Sequence, residues 1–311
     1  RSLLSGLGDL SKPERQNVNH IAMTVEHFQA PNDGALSPKM LTAYARDGVL
    51  VLENMFSRQV CEALMTRAGE LVDGFDPDVA RTVFSTTIRG QDRDDYFATS
   101  GGTIRFFLED GVLTPDGNLN RDKAKCINKI GHALHDLDPV FDGFSRLPKL
   151  AAVAQSIGCA QPLLLQSMYI FKQPGIGGEV IWHQDSAFLH TQPLSVVGFW
   201  VALEDATVAN GCLWALPGQH LEPLRNRYRY IDGALTTEQL DPEPWPDDGK
   251  IPLEVPQGTL VVLHGSLPHR SDSNFSDKSR HAYTLHLIDG ACVYSPDNWL
   301  QRPNDMPLSG F

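Results

Sequence analysis

Trp182-His183-Gln184-Asp185 sets an imidazole and a carboxylate two residues apart. On an extended strand residues i and i+2 point to the same side, so both side chains can converge on one ion. A second imidazole from another strand, beside a strand-ending turn, completes a three-ligand face. Leu267-Pro268-His269 supplies it after the apolar run 259–263. Two imidazoles and one carboxylate bound facially leave about three octahedral positions open, as iron(II) oxygen chemistry requires. A bidentate keto acid would fill two and O2 the third. An HxD tripeptide is common by itself, and among eleven histidines His264, His281 and His286 compete with His269 for the third place.

The downstream residues sharpen this reading. Ser271 follows His269 closely, and Arg280 stands eleven residues after it, at the start of the last long strand-like run. A guanidinium there can form a charge-assisted fork with the far carboxylate of 2-oxoglutarate, helped by the Ser271 hydroxyl. A lone arginine is more often a surface ion-pair partner. The joint pattern of HxD, His, Ser and Arg points to an iron(II)- and 2-oxoglutarate-dependent oxygenase. Two other classes compete with it: a cupin-type metal enzyme that needs no keto acid, and a non-catalytic module that only binds 2-oxoglutarate.

These residues need strands to hold them. From about residue 163 Leu165, Ser167, Tyr169 and Phe171 alternate with Gln166, Met168, Ile170 and Lys172, the period of a strand. Further strand-like runs are 196–203, 212–216, 259–264 and 282–288, separated by turn residues including Asn210-Gly211, which reads as a hairpin turn. The first half reads as helical. Ser37-Pro38 opens one helix that Gly48 stops, and Ser57 caps a longer one with Val60, Leu64, Ala68 and Leu71 on one face. Two more helices are expected over 121–135 and 148–157. The fold class is therefore mainly β, a jelly roll (double-stranded β-helix, cupin-like) with a helical buttress. One catalytic domain, 37–311, follows an N-terminal extension, 1–36.

Composition excludes several classes. The chain of 311 residues carries 38 acidic against 26 basic side chains, a net charge of −12, so nucleic acid is not an expected partner. Five scattered cysteines without a CxxC pair argue against a disulfide framework or a structural zinc site. No run approaches the length of a membrane span, and no signal pattern opens the chain, so the expected location is the cytoplasm. The basic segment 224–230 stands out in an acidic chain. It reads as a solvated loop, or less commonly as a lid for an anionic substrate.

Longer strings add a resemblance. Ile104-Arg105-Phe106-Phe107, the run 127–135 from Ile127 to His135, Gln166-Ser167-Met168-Tyr169-Ile170-Phe171-Lys172-Gln173-Pro174, Trp200 to Thr207, Asn210 to Trp214 and Asn298-Trp299-Leu300 resemble the phytanoyl-CoA dioxygenase family over roughly residues 41–300. The resemblance implies the jelly roll, Fe(II), and 2-oxoglutarate converted to succinate. It also implies that Lys125, Met168 and Trp200 contact 2-oxoglutarate, with Ser271 and Arg280 gripping its far carboxylate. From the residues alone Met168 and Trp200 are plain core, Lys125 a solvated cation, and Arg105 a cation packed over aromatics as readily as a residue of the substrate mouth. Asp185 as a full carboxylate ligand favours hydroxylation, desaturation or ring chemistry over halogenation. The expected substrate is a small or lipid-like molecule.

Overall fold

The computed structural model describes residues 24–78, 81–84, 86 and 95–311. Numbered in chain order, eight strands form the main sheet, in the spatial order His27–Gln29 (β1), Val49–Glu53 (β2), Leu260–His264 (β13), Val197–Ala202 (β8), Ala282–Asp289 (β15), Pro162–Ile170 (β5), Ile127–His132 (β4) and Ile104–Leu108 (β3). A second sheet runs Ile251–Leu253 (β12), Leu213–Ala215 (β9), His269–Ser271 (β14) and Val180–His183 (β6). Asn226–Ile231 (β10) and Ala234–Gln239 (β11) make a hairpin, and Thr191–Gln192 (β7) pairs with Val293–Tyr294 (β16). All these pairs are antiparallel except β1 with β2. This is the jelly roll that the sequence predicts.

The two faces of the main sheet bury different things. Strand β2 is apolar at consecutive positions, as a strand covered on both sides must be. Its Leu50 and Leu52 join Val262, Tyr283 and Leu285 against the helices, while Val49 and Val51 join Trp200, Val261 and Leu263 against Leu213, Ala215, Ile251 and Leu253 of the small sheet. The helices are α1 (Pro38–Asp47), α2 (Arg58–Gly74), α3 (Asp95–Ala98), α4 (Leu134–Leu137), α5 (Pro139–Ser145) and α6 (Pro148–Ser156). Ser37 caps α1, its hydroxyl accepting from the Met40 amide at 3.4 Å, and Gly48 closes it at φ 72°. The buried stripe of α2 is Cys61, Leu64, Ala68 and Val72, with Val60 and Leu71 at its margin.

One helix reading is corrected. Residues 121–135 are not a helix: a 3-10 turn, Lys123–Lys125, leads into β4, whose backbone is paired to β3 and β5 on both sides. Sheet pairing here overrides a helical pattern, helped by Gly131 and two β-branched residues in the segment. The described part of the extension, from residue 24, contributes β1 as an edge strand in register with Val51–Glu53 of β2. Residues 1–23 lie outside the described residues. No helix among the described residues is long and apolar enough to cross a membrane.

Candidate active site

The antiparallel pairing of β6 with β14 sets His183 directly opposite His269, with ring centroids 4.2 Å apart. Strand β6 ends at His183, yet Gln184 stays extended (φ −120°, ψ 128°), so Asp185 at the head of a 3-10 turn still faces the way His183 does. Asp185 Oδ1 lies 3.6 Å from His183 Nε2 and 3.7 Å from His269 Nε2. One ligand atom from each of the three lies within 4.8 Å of the others, and among the described residues this is the one His/Cys/Asp/Glu group so arranged.

The surrounding backbone fixes these side chains. His183 Nδ1 is 2.9 Å from the Ile181 carbonyl and His269 Nδ1 is 3.0 Å from the Leu267 carbonyl. A carbonyl only accepts, so each Nδ1 carries the proton and each Nε2 turns a lone pair to the shared space. Two further bonds tie the HxD turn to the turn preceding His269: Ser186 N donates to Gly265 O at 2.8 Å, and Gln184 Nε2 to Ser266 O at 2.9 Å. Burial, then the neighbouring His269, lowers His183 to about 4. Burial alone would raise Asp185, but His286, His269 and His183 outweigh it and hold the carboxyl far below its usual range. A neutral His183 beside an ionised Asp185 carboxylate is the protonation pattern that a divalent metal needs.

The rival histidines do other things. His264 accepts from the Ser266 amide at 3.1 Å and packs tilted against His220, ring centres 5.1 Å apart. His281 Nδ1 bonds the Tyr169 hydroxyl at 2.7 Å on the helix side of the sheet. His286 approaches Asp185 but stands outside the three-residue group.

Arg280 lies two residues before β15 and is 2% exposed. Its Nε donates to the Gly211 carbonyl at 3.1 Å, its Cζ is 5.3 Å from the Trp200 ring centre, and its buried Nη1 has no hydrogen-bond partner. Burial lowers it to about 10, still a cation at neutral pH. Ser271, at the end of β14, accepts from Lys172 Nζ at 2.9 Å. Lys172 also donates to Gly178 O at 2.6 Å, and burial together with the Arg280 charge lowers it to about 7. Asn210-Gly211 is not a hairpin turn: Gly211 closes the 3-10 turn Val208–Asn210 at φ 83°. A Cβ there would meet Lys172 Cε and Asp272 O, each at 2.7 Å, so only glycine lets this backbone reach Arg280.

Sheet register places the remaining candidates. Gly131, Met168, Thr284 and Trp200 form one row across β4, β5, β15 and β8. Lys129 is two residues from Gly131 on β4, hence on the same face, and its Nζ is 3.7 Å from Met168 Sδ. Lys125 is in none of these strands; it is exposed on the 3-10 turn. Lys129 and Lys172 are the cations that sequence reasoning missed. Strand parity for 127–132 would have pointed to the first; nothing local pointed to the second. Arg105 lies over the Tyr96 ring at 4.7 Å and bonds Tyr96 O and Thr99 Oγ1, so it packs on aromatics. The basic segment 224–230 builds β10, not a loop. Arg227 and Arg229 pair with Asp297 at 3.0 and 2.7 Å, while the Tyr228 ring packs tilted, 5.5 Å from Phe188, itself 6.1 Å from His183.

Comparison with known proteins agrees with this geometry. The profile of the family described as phytanoyl-CoA dioxygenase matches residues 44–282. The chain is 47% identical over 283 residues to phytanoyl-CoA dioxygenase domain-containing protein 1 of Bos taurus, covering 88% of this chain and 97% of that protein. It is 43% identical to a phytanoyl-CoA dioxygenase of Arabidopsis thaliana, covering 86% and 95%. Among solved structures, the non-heme alpha ketoglutarate dependent carbocyclase SnoK superposes with a TM-score of 0.62 at 18% identity, over 90% of this chain and 98% of that one. EctD from S. alaskensis with bound Fe gives 0.59 at 22% identity, over 90% and 86%. The chain belongs to the phytanoyl-CoA dioxygenase family of iron(II)- and 2-oxoglutarate-dependent dioxygenases.

Proposed function

We propose that this dioxygenase holds iron(II) through His183, Asp185 and His269 and oxidises a C–H bond of a small or lipid-like substrate, hydroxylating it. The observation that carries the reading is the unsatisfied Arg280 Nη1, a buried cation next to a three-ligand metal face. A buried guanidinium without its anion is costly, and a dicarboxylate supplies the missing acceptor. The residues present fit the group: two nitrogen donors and one oxygen donor suit iron(II) and leave coordination sites for a keto acid and dioxygen. When bound, iron and 2-oxoglutarate supply oxidative decarboxylation to succinate and CO2, coupled to insertion of one dioxygen atom into the substrate C–H bond.

The chain's own residues bind and orient. Arg280 and the Ser271 hydroxyl take the far carboxylate, with Lys172 holding that hydroxyl in place. Met168 and Trp200 wall the keto acid from their shared row. Lys129, beside Met168, takes the role for which Lys125 is too exposed. For the substrate, the β10–β11 hairpin offers a groove of about 810 Å³ with Leu194, Leu224 and Leu240 on its walls and Arg227 and Arg229 at one side. Its leucines suit an apolar molecule, whereas Arg227 and Arg229 are already paired with Asp297, and Glu238 and Asp241 share the wall.

Succinate release from 2-oxoglutarate under air and iron(II) tests the assignment. Asp185→Ala and His269→Ala should abolish it. Lys129→Met should raise the KM for 2-oxoglutarate about tenfold or more, while Lys125→Ala leaves it unchanged. Undiminished turnover in Asp185→Ala would remove the metal assignment, and the reverse lysine result would restore Lys125.

A further inference from the structure

The two oxygens of Asp185 face different neighbours. Oδ1 looks toward the Nε2 atoms of His183 and His269, at 3.6 and 3.7 Å. Oδ2 is turned the other way, 3.3 Å from Nε2 of His286 on β15. Both residues are 7% exposed, so no bulk water competes for that contact.

The main sheet makes room for it. His286 lies in register with Gly198 on the adjacent β8. A Cβ on Gly198 would stand 3.1 Å from Asp185 Oδ2 and 3.6 Å from the His286 ring. One strand thus presents bare backbone and the next an imidazole, at the place where the outer carboxylate oxygen rests. His286 Nδ1 and Asp185 Oδ2 are both buried without a hydrogen-bond partner, so the 3.3 Å approach of Nε2 to Oδ2 is the one polar contact that either group has on this side. An imidazole kept only to fill the core would carry that desolvation cost for nothing, whereas an apolar side chain would avoid it.

Building on the metal reading above, we infer that His286 is a positioning residue: its imidazole, with Nε2 3.3 Å from Asp185 Oδ2, keeps that oxygen turned away from the metal, so the carboxylate offers Oδ1 alone. A carboxylate free to rotate can bind a metal through both oxygens and occupy a position that the co-substrates need. Groups that hydrogen-bond a ligating carboxylate set its orientation, and losing one weakens metal binding by about 10–100-fold. Gly198 contributes by leaving the niche open.

The experiment measures metal uptake without turnover. Co(II) is titrated anaerobically into the metal-free full chain, following the visible absorption bands that report coordination number. His286→Leu should bind Co(II) about 10–100-fold more weakly, with an altered band intensity, while His286→Gln, which keeps a donor, recovers most of the affinity. Gly198→Ala, which presses on the same oxygen from the other strand, should also weaken binding and covers the case in which His286→Leu fails to fold. Wild-type affinity and spectrum in a folded His286→Leu, or in Gly198→Ala if that variant alone folds, overturn the inference. A wild-type chain that takes up no Co(II), or an Asp185→Ala variant that binds it unchanged, overturns the metal reading itself and this inference with it.

Discussion

Two ionic clusters, one half-buried and one buried, lie on opposite faces of the main sheet, and they differ in whether their charges are answered. On the helix side Asp136 Oδ1 takes Arg146 Nη2 at 2.7 Å, and its Oδ2 takes Arg302. His135 Nε2 is 3.1 Å from the same Oδ2, and its Nδ1 is 2.8 Å from the Ser167 hydroxyl. Those are the components of a Ser–His–Asp relay, but Ser167 and His135 are fully buried, and the Ser167 hydroxyl also accepts from the His135 amide at 3.1 Å. No substrate reaches that serine. On the other face Arg280 Nη1 and Trp200 Nε1 are buried without partners, beside three metal-ligand atoms that converge on a common point. Closed networks rigidify a fold; open ones wait for a ligand.

Mutating each cluster breaks or sharpens that contrast. The largest effect belongs to the closed one. Asp136→Ala removes the carboxylate that Arg146 and Arg302 share, although Arg146 keeps Asp142, and the loss of two charge-assisted bonds should cost about 3 kcal/mol in urea unfolding while leaving Co(II) affinity intact. A loss below about 1 kcal/mol, or a loss of metal affinity, would place Asp136 in the open class. Next comes Arg280→Met. It removes a buried cation that has no anion in the free protein, so stability should hold or rise, while 2-oxoglutarate binding weakens by about 2 kcal/mol or more, roughly 30-fold. Coupled losses of stability and affinity would make Arg280 a structural ion like those around Asp136.

The same contrast explains what the sequence disclosed. His183, Asp185 and His269 were legible because strand parity and short spacings let their ligand atoms meet, and the jelly roll followed from alternation after residue 163. Lys129 was hidden by the helical reading of 121–135, which put parity out of use there. Gly211, Lys172 and His286 act through Arg280, Ser271 and Asp185, which lie 69, 99 and 101 residues away, and register between such segments is set by tertiary pairing rather than by local pattern. Lys172 in particular sits at φ 42°, a conformation that nothing in Phe171-Lys172-Gln173 announces.

Lys172 also gives the smallest and most specific effect, a slope with pH. Burial and the nearby Arg280 bring it to about 7 in the folded chain, against 10.5 for an ordinary lysine. Between those values the unfolded chain holds a proton that the folded chain has shed. Stability therefore rises with pH across this window, by at most about 1.4 kcal/mol per unit from this residue. Below pH 7 both states hold the proton, and the cost of burying the cation is fully present. Lys172→Met should be the more stable protein at pH 7 and should lack the slope, as read from urea unfolding at several pH values. Adding 2-oxoglutarate to the wild type should flatten the slope as well, because a dicarboxylate at Ser271 and Arg280 favours the charged lysine and draws a proton on binding. A wild-type slope that ignores 2-oxoglutarate would mean that the anion does not reach Lys172, and would move this lysine from the open cluster to the closed kind.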